Sequence, residues 1–285
     1  MQFSEMDNVD LRLTLLNGSK ISIENLEIIP YTLKEIREYG YSKYMKNLQW
    51  ISLSVDDFID SILEEDKRES LKKNRESLRA FDFYIKLGGE VMQKRLIKTL
   101  SMVFRTDDIR VLEDGVVAIG FIELGIIIED ENGNIAEVNH DRLDELDGEE
   151  VKIVHRENFD DLVKIIKLQN YLEQPSESDV DDAEPADEET RALMEQMKSM
   201  REEVERRKRQ QNDDGEGEGI DLPDIVSAVS AKSNSINKLN IWDFTLYQIY
   251  DEYARLELID SYDFSVKAMM AGAKDVDLKH WSSKL

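Results

Sequence analysis

The 285-residue chain contains no cysteine, which excludes disulfides, thiolate metal sites and a cysteine nucleophile. It has four prolines and three histidines, His140, His155 and His280, and none of the histidines has a second His or a Glu at a metal-binding spacing. No window approaches the ~20 uncharged apolar residues of a membrane span, and the opening "MQFSEMDNVDLRL" has no basic region followed by an apolar run, so no secretory signal is expected there. Positive charge is also scarce. Lys plus Arg is 37 against 62 Asp plus Glu, a formal net charge of −25. Binding along a nucleic-acid backbone needs the opposite balance. No G-x-S-x-G elbow or phosphate-cradling loop occurs, and "GEGEG" at 215–219 carries carboxylates where a phosphate would need bare amides. Without a nucleophile, base or ligand constellation, the chain is expected to be neither an enzyme nor a cofactor or metal binder.

What is present divides the chain into three. Residues 1–172 have ample apolar side chains for a core. Leu11, Leu13 and Leu15, then Asn17-Gly18, then Ile21 and Ile23 alternate around a turn dipeptide and predict a hairpin. Thr32-Leu33-Lys34-Glu35 is a capping box opening a helix with Ile36, Tyr39, Tyr44 and Met45. Further helices are expected from Ser54, over 75–87 up to Gly88-Gly89, and over 90–104. The period then changes. "IRVLEDGVVAIGF" and "GIIIEDENGNIAEV" predict strands around Asp114-Gly115 and Asn132-Gly133, the second being a hairpin turn rather than a calcium loop because its glycine falls at the fourth position. Asn158 to Asp161 predicts the cap of a last helix carrying Phe159, Leu162, Ile165 and Ile166. The expected fold is α+β, helix-rich with small antiparallel hairpins.

Residues 173–221 break that composition. "EQPSESDVDDAEPADEET" holds nine acidic residues and no basic ones, and predicts a disordered or helical acidic linker with a charged helix near 190–211. The basic knot Arg206 to Arg209 is flanked by Glu202, Glu203 and Glu205, the pattern of a salt-bridged helix. Residues 222–285 then rebuild an apolar, all-helical module. Below ~70 residues such a core supplies only a few kcal/mol, and a partner or self-association would help it. Its "NIWDFTLYQIYDEY" places Trp242, Leu246, Ile249, Tyr253 and Leu256 on one helical face, with a last amphipathic piece expected over 261–273. An aromatic stripe at helical spacing serves a core or a partner, and here both readings stay open. The candidate partner-binding residues are Trp242, Phe244, Tyr247, Tyr250, Tyr253, Met269, Met270 and Trp281.

The order of these pieces resembles the tail assembly chaperones of long-tailed bacteriophages of Gram-positive hosts: "YTLKEIREYGYSKYMKNL" after a short hairpin, then "RENFDDLVKIIKLQNYL", a charged linker, and "NIWDFTLYQIYDEYARLE" with "MMAGAK" and Lys279-His280-Trp281. In that family an N-terminal domain is followed by a C-terminal extension. The resemblance implies a non-enzymatic protein of the host cytoplasm. Its partners would be the tape-measure protein, kept soluble, and tail-tube subunits, recruited through the extension, with a homo-oligomer possible and neither nucleic acid nor membrane involved. Two other classes remain: a structural tail or baseplate component of the virion, and an acidic inhibitor that imitates DNA.

Overall fold

The computed structural model describes residues 1–112, 115–130, 135–146, 151–173, 220–273, 276 and 278–283. These fall into two compact units. One is Met1–Gln174 together with Trp242–Gln248, and the other is Pro175–Ile241 with Ile249–Leu285. The expected acidic stretch and its charged helix lie outside the described residues except for Glu173, Ile220 and Asp221.

The first unit is helix-rich with small antiparallel sheets. Its opening corrects the expected hairpin around Asn17-Gly18. Asn8–Leu16 is an α-helix, α1, capped by Asp7, whose carboxylate accepts the Asp10 N–H at 2.7 Å. Leu11 and Leu15 are four apart and face inward on it, so the leucine alternation satisfies helical spacing as well as period two. Gly18, at φ +66°, is the left-handed residue that ends the helix rather than a hairpin turn. The hairpin comes later. β1 (Ile21–Ile23) pairs with β2 (Leu26–Ile28) in the register Ile21↔Ile28 and Ile23↔Leu26, turning at Glu24-Asn25 with Glu24 at φ +49°.

The Thr32 capping box forms as expected. The Thr32 N–H donates to Glu35 Oε2 at 2.7 Å, and Thr32 Oγ1 accepts the Glu35 N–H at 3.3 Å. The helix it starts is two helices, α2 (Leu33–Tyr39) and α3 (Tyr41–Ile51), because Gly40 sits at φ +98° between them. Ser54 caps α4 (Val55–Asp60) through a second box with Asp57. α5 (Glu65–Lys73), which no sequence expectation covers, follows. The helix expected over 75–87 is broken into a 3₁₀ turn (Arg75–Ser77), the short α6 (Ala80–Asp82) and a π-turn (Phe83–Leu87). The wider turn brings Phe83, Tyr84 and Ile85 all into the core. Gly88 follows it, and α7 (Gly89–Phe104) runs close to its expected length.

Strands β3 (Ile109–Val111), β4 (Val117–Ile119) and β7 (Lys152–Val154) form one antiparallel sheet in the order β3-β4-β7. Strands β5 (Ile127–Glu129) and β6 (Ile135–Val138) form a separate hairpin, followed by α8 (His140–Glu145). Asn158 does not cap α9 (Phe159–Gln169) with its side chain. Its carbonyl oxygen accepts the His155 N–H at 2.9 Å, and its amide donates to Ile153 O and to Glu24 Oε2, both at 3.1 Å. The centre of the unit is aromatic: Phe58 stacks on Phe83 at 5.0 Å, and Phe159, fully buried, meets Phe81 at 5.1 Å and Tyr84 at 5.7 Å. Burial of these rings dominates the core's energetics.

The second unit is helical. α10 (Leu222–Lys232) starts at an Asp221/Asp224 capping box with Pro223 in its first turn, and buries Ile225 and Val229. After a turn closed by Asn237 and Asn240, α11 (Leu246–Met270) runs 25 residues without a break, absorbing the amphipathic piece expected as a separate element. Lys232 pairs with Asp260, and Arg255 Nη1 donates to the carbonyls of Trp281 and Ser283 at 2.8 Å each, pinning the final turn to the helix.

Two outcomes test this fold. A methyl group at Gly88 would stand 2.6 Å from the Phe83 carbonyl oxygen and collide with Met92. Gly88→Ala is therefore expected to lower stability by about 1–3 kcal/mol in urea unfolding. Asp82 is held by Arg156 at 3.0 Å. Burial pushes its pKa up, but the Arg156 and Arg79 hydrogen bonds outweigh burial and leave it below the ordinary 3.8. A depressed folded pKa gives stability that is complete above the unfolded value and is lost as pH falls through the folded one. The stability gap between wild type and Asp82→Asn is thus expected to be open at pH 7 and to close below pH 3.8.

Candidate interaction surfaces

Trp242–Gln248 is built into the first unit by its own local chemistry. Thr245 and Gln248 form a capping box at the start of α11: the Thr245 N–H donates to Gln248 Oε1 at 2.8 Å, and Thr245 Oγ1 accepts the Gln248 N–H at 3.3 Å. The Gln248 side-chain amide then donates to Leu16 O at 2.8 Å, satisfying one of the free carbonyls at the end of α1. Gly18 leaves room for this, since a Cβ there would stand 3.1 Å from Gln248 Nε2. Thr32 and Thr245 form an antiparallel bridge, and the Leu33 N–H donates to Phe244 O at 2.8 Å. The Arg37 guanidinium lies 5.3 Å over the Trp242 ring, and Tyr247, which is buried, meets Tyr171 edge-on at 5.5 Å.

The eight residues expected to face a partner are therefore split. Trp242, Phe244 and Tyr247 pack within the first unit, with Trp242 and Phe244 half-buried. Tyr250 and Tyr253 are half-buried in the second unit, where desolvation, with a hydrogen bond to Glu257, pushes the Tyr253 hydroxyl up. Met269, Met270 and Trp281 are exposed. Phe264, outside that set, is 75% exposed, and Met270 is 85% exposed. His280 bridges Tyr262, edge-on at 5.3 Å, and Trp281, tilted at 5.4 Å, in a small aromatic cluster.

Two features of the first unit went unread in the sequence. Val9, Leu13 and Leu16 are exposed on α1 at helical spacing, an apolar stripe hidden by the period-two reading. A cleft of about 390 Å³ is lined by Tyr31, Tyr39, Lys43, Lys98, Ser101, Met102, Arg105, Thr106 and Asp107. Lys43 Nζ lies 4.3 Å over the Tyr39 ring and the Arg105 guanidinium 4.1 Å over Tyr31. Arg105 also reaches Glu35 at 3.4 Å. Burial pushes Glu35 up, but its hydrogen bonds to Thr32 and the Arg105 charge win and hold it below its usual range. Among the described residues no group of three His, Asp or Glu could hold a metal ion, and no helix is long and apolar enough to cross a membrane.

Residues 208–285 match the family model described as YomV second domain. That family is phage-associated, from a Bacillus prophage, and the match covers the C-terminal part of this chain alone. No curated protein and no solved structure matches the chain.

A protease site inserted within 190–211 tests the placement of Trp242–Gln248. After cleavage the two pieces are expected to co-elute in size-exclusion chromatography, and the pieces of a Trp242→Ala, Tyr247→Ala variant to separate. Separation of the unsubstituted pieces would contradict the placement.

Proposed function

We propose that the protein is a phage tail assembly chaperone, which keeps the tape-measure protein soluble and recruits tail-tube subunits in the host cytoplasm. The observation that carries this reading is the exposed apolar end of α11, with Phe264, Met269 and Met270, together with Trp281 in the later turn, all presented to solvent by a chain of net charge −25. Burying one such side chain in a partner yields roughly 1.5–3 kcal/mol, and methionine adapts its shape to uneven partner surfaces. The stripe of Val9, Leu13 and Leu16 offers the first unit a similar contact. The surrounding negative charge keeps a chain with exposed apolar groups from associating with itself indiscriminately. The match of residues 208–285 to a phage-associated family supports the setting.

This reading moves the tube-subunit contact from Trp242, Phe244 and Tyr247, which are engaged inside the first unit, to the exposed residues further along. It is tested by co-expression with the tape-measure protein of the same phage. The soluble fraction of the tape measure is expected to rise several-fold with the wild-type chain and to fall back with Phe264→Ser, Met270→Ser, a variant whose unfolding curve is unchanged. Equal solubility with and without the chain would overturn the proposal, as would finding the protein as a stoichiometric component of purified particles.

A further inference from the structure

The cleft between α2, α3 and the end of α7 has no part in the function just proposed, and its chemistry differs from the rest of the molecule. Three of its nine lining residues are cationic and one, Asp107, is acidic, in a chain where acids outnumber bases 62 to 37. Neither Lys43 nor Lys98 has an ion pair among the described residues. Lys43 is steadied on the Tyr39 ring, which orients its charge without neutralising it.

The helix end that would repel an anion is already capped. The Ser101 carbonyl accepts the Thr106 N–H at 3.2 Å, and the Met102 carbonyl accepts the Arg105 N–H at 3.3 Å and the Tyr31 hydroxyl at 2.6 Å. Two hydroxyls, Ser101 and Thr106, also line the cleft. Thr106 Oγ1 accepts the Asp108 N–H at 3.1 Å, which leaves its own proton to donate elsewhere.

We propose that this cleft binds a phosphate-type oxyanion, held by the Lys43 and Lys98 ammonium groups and the Ser101 and Thr106 hydroxyls. The geometry selects against two other anions. A planar carboxylate is best gripped by a free arginine fork, but Arg105 is committed to Ile29 O at 3.1 Å, Pro30 O at 3.2 Å and Glu35. Lysines act as point charges with rotatable donors and suit a tetrahedral group. A nucleotide base would need an aromatic face. Tyr31 and Tyr39 each already carry a cation and lean on Tyr44, at 5.2 Å and 6.3 Å. At about 390 Å³ the cleft accommodates a phosphate or a small phosphomonoester.

Amide NMR of the full chain, titrated with inorganic phosphate, glycerol 3-phosphate and, at matched ionic strength, acetate, tests the assignment. Saturable shifts confined to residues 39–43 and 98–107 are expected with the phosphates and not with acetate. The tighter of the two phosphates distinguishes a free anion from an esterified one. Each charge-assisted hydrogen bond carries about tenfold in affinity, so Lys43→Gln and Lys98→Gln are each expected to weaken binding by about that factor. Absence of saturable shifts, equal shifts with acetate, or unchanged affinity in the double variant would overturn it.

Discussion

The hydrogen bond from the Leu33 amide to the Phe244 carbonyl, at 2.8 Å, is the constraint on which the organisation of this protein turns. Leu33 is the first residue of α2, and the first amides of a helix have no acceptor within the helix itself. Glu35 caps Thr32, one residue earlier, and the Leu33 amide bonds elsewhere. The acceptor comes from more than two hundred residues further along the chain. Because α2 and α3 carry Ile36, Tyr44, Leu48 and Ile51 into the core of the first unit, the segment that completes α2 is part of that unit's architecture. The same segment finishes α1, whose Leu16 carbonyl takes the Gln248 amide.

This return changes how the aromatic stretch is understood. Trp242, Phe244 and Tyr247 would each be a strong anchor for a partner if free. Within the first unit the Trp242 ring instead meets Arg37 and the Tyr247 ring meets Tyr171, while Phe244, half-buried, gives its backbone carbonyl to the Leu33 amide. Of the large apolar side chains beyond them, Phe264, Met269, Met270 and Trp281 are exposed. One helix, α11, thus carries two kinds of residue in succession: a first turn that belongs to a folded core and a distal end that offers apolar surface to solvent. Under the proposed function, a few large exposed side chains set in a strongly acidic chain would be a workable compromise between contact and solubility.

Much of the fold was legible because several signals are purely local. The Thr32 capping box depends on four consecutive residues and forms as expected, and a helix begins at Ser54 as expected. Strands β3 to β6 lie where the apolar period changes. The failures have physical causes. Leu11, Leu13 and Leu15 fit a strand and a helix alike over so short a run, and the Asp7 cap decides between them. The π-turn at Phe83–Leu87 leaves no period for a sequence pattern to reveal. Aromatic spacing in 242–256 fits a core and an interface equally, since both bury the same face. The box Thr245-Leu-Tyr-Gln248 was the readable sign that a helix starts there. The lysine cleft draws on residues more than fifty positions apart, beyond the reach of any local pattern.

Hydrogen exchange at the Leu33 amide in the intact protein measures the central claim directly. A first-turn amide with only water for an acceptor exchanges at close to the free rate, whereas one bonded to Phe244 within a packed core exchanges through opening of that core. The account predicts protection at Leu33 comparable to that of buried amides in α9. Exchange at the unprotected rate, with α9 still protected, would show that residues 242–248 are not part of the first unit and would contradict it.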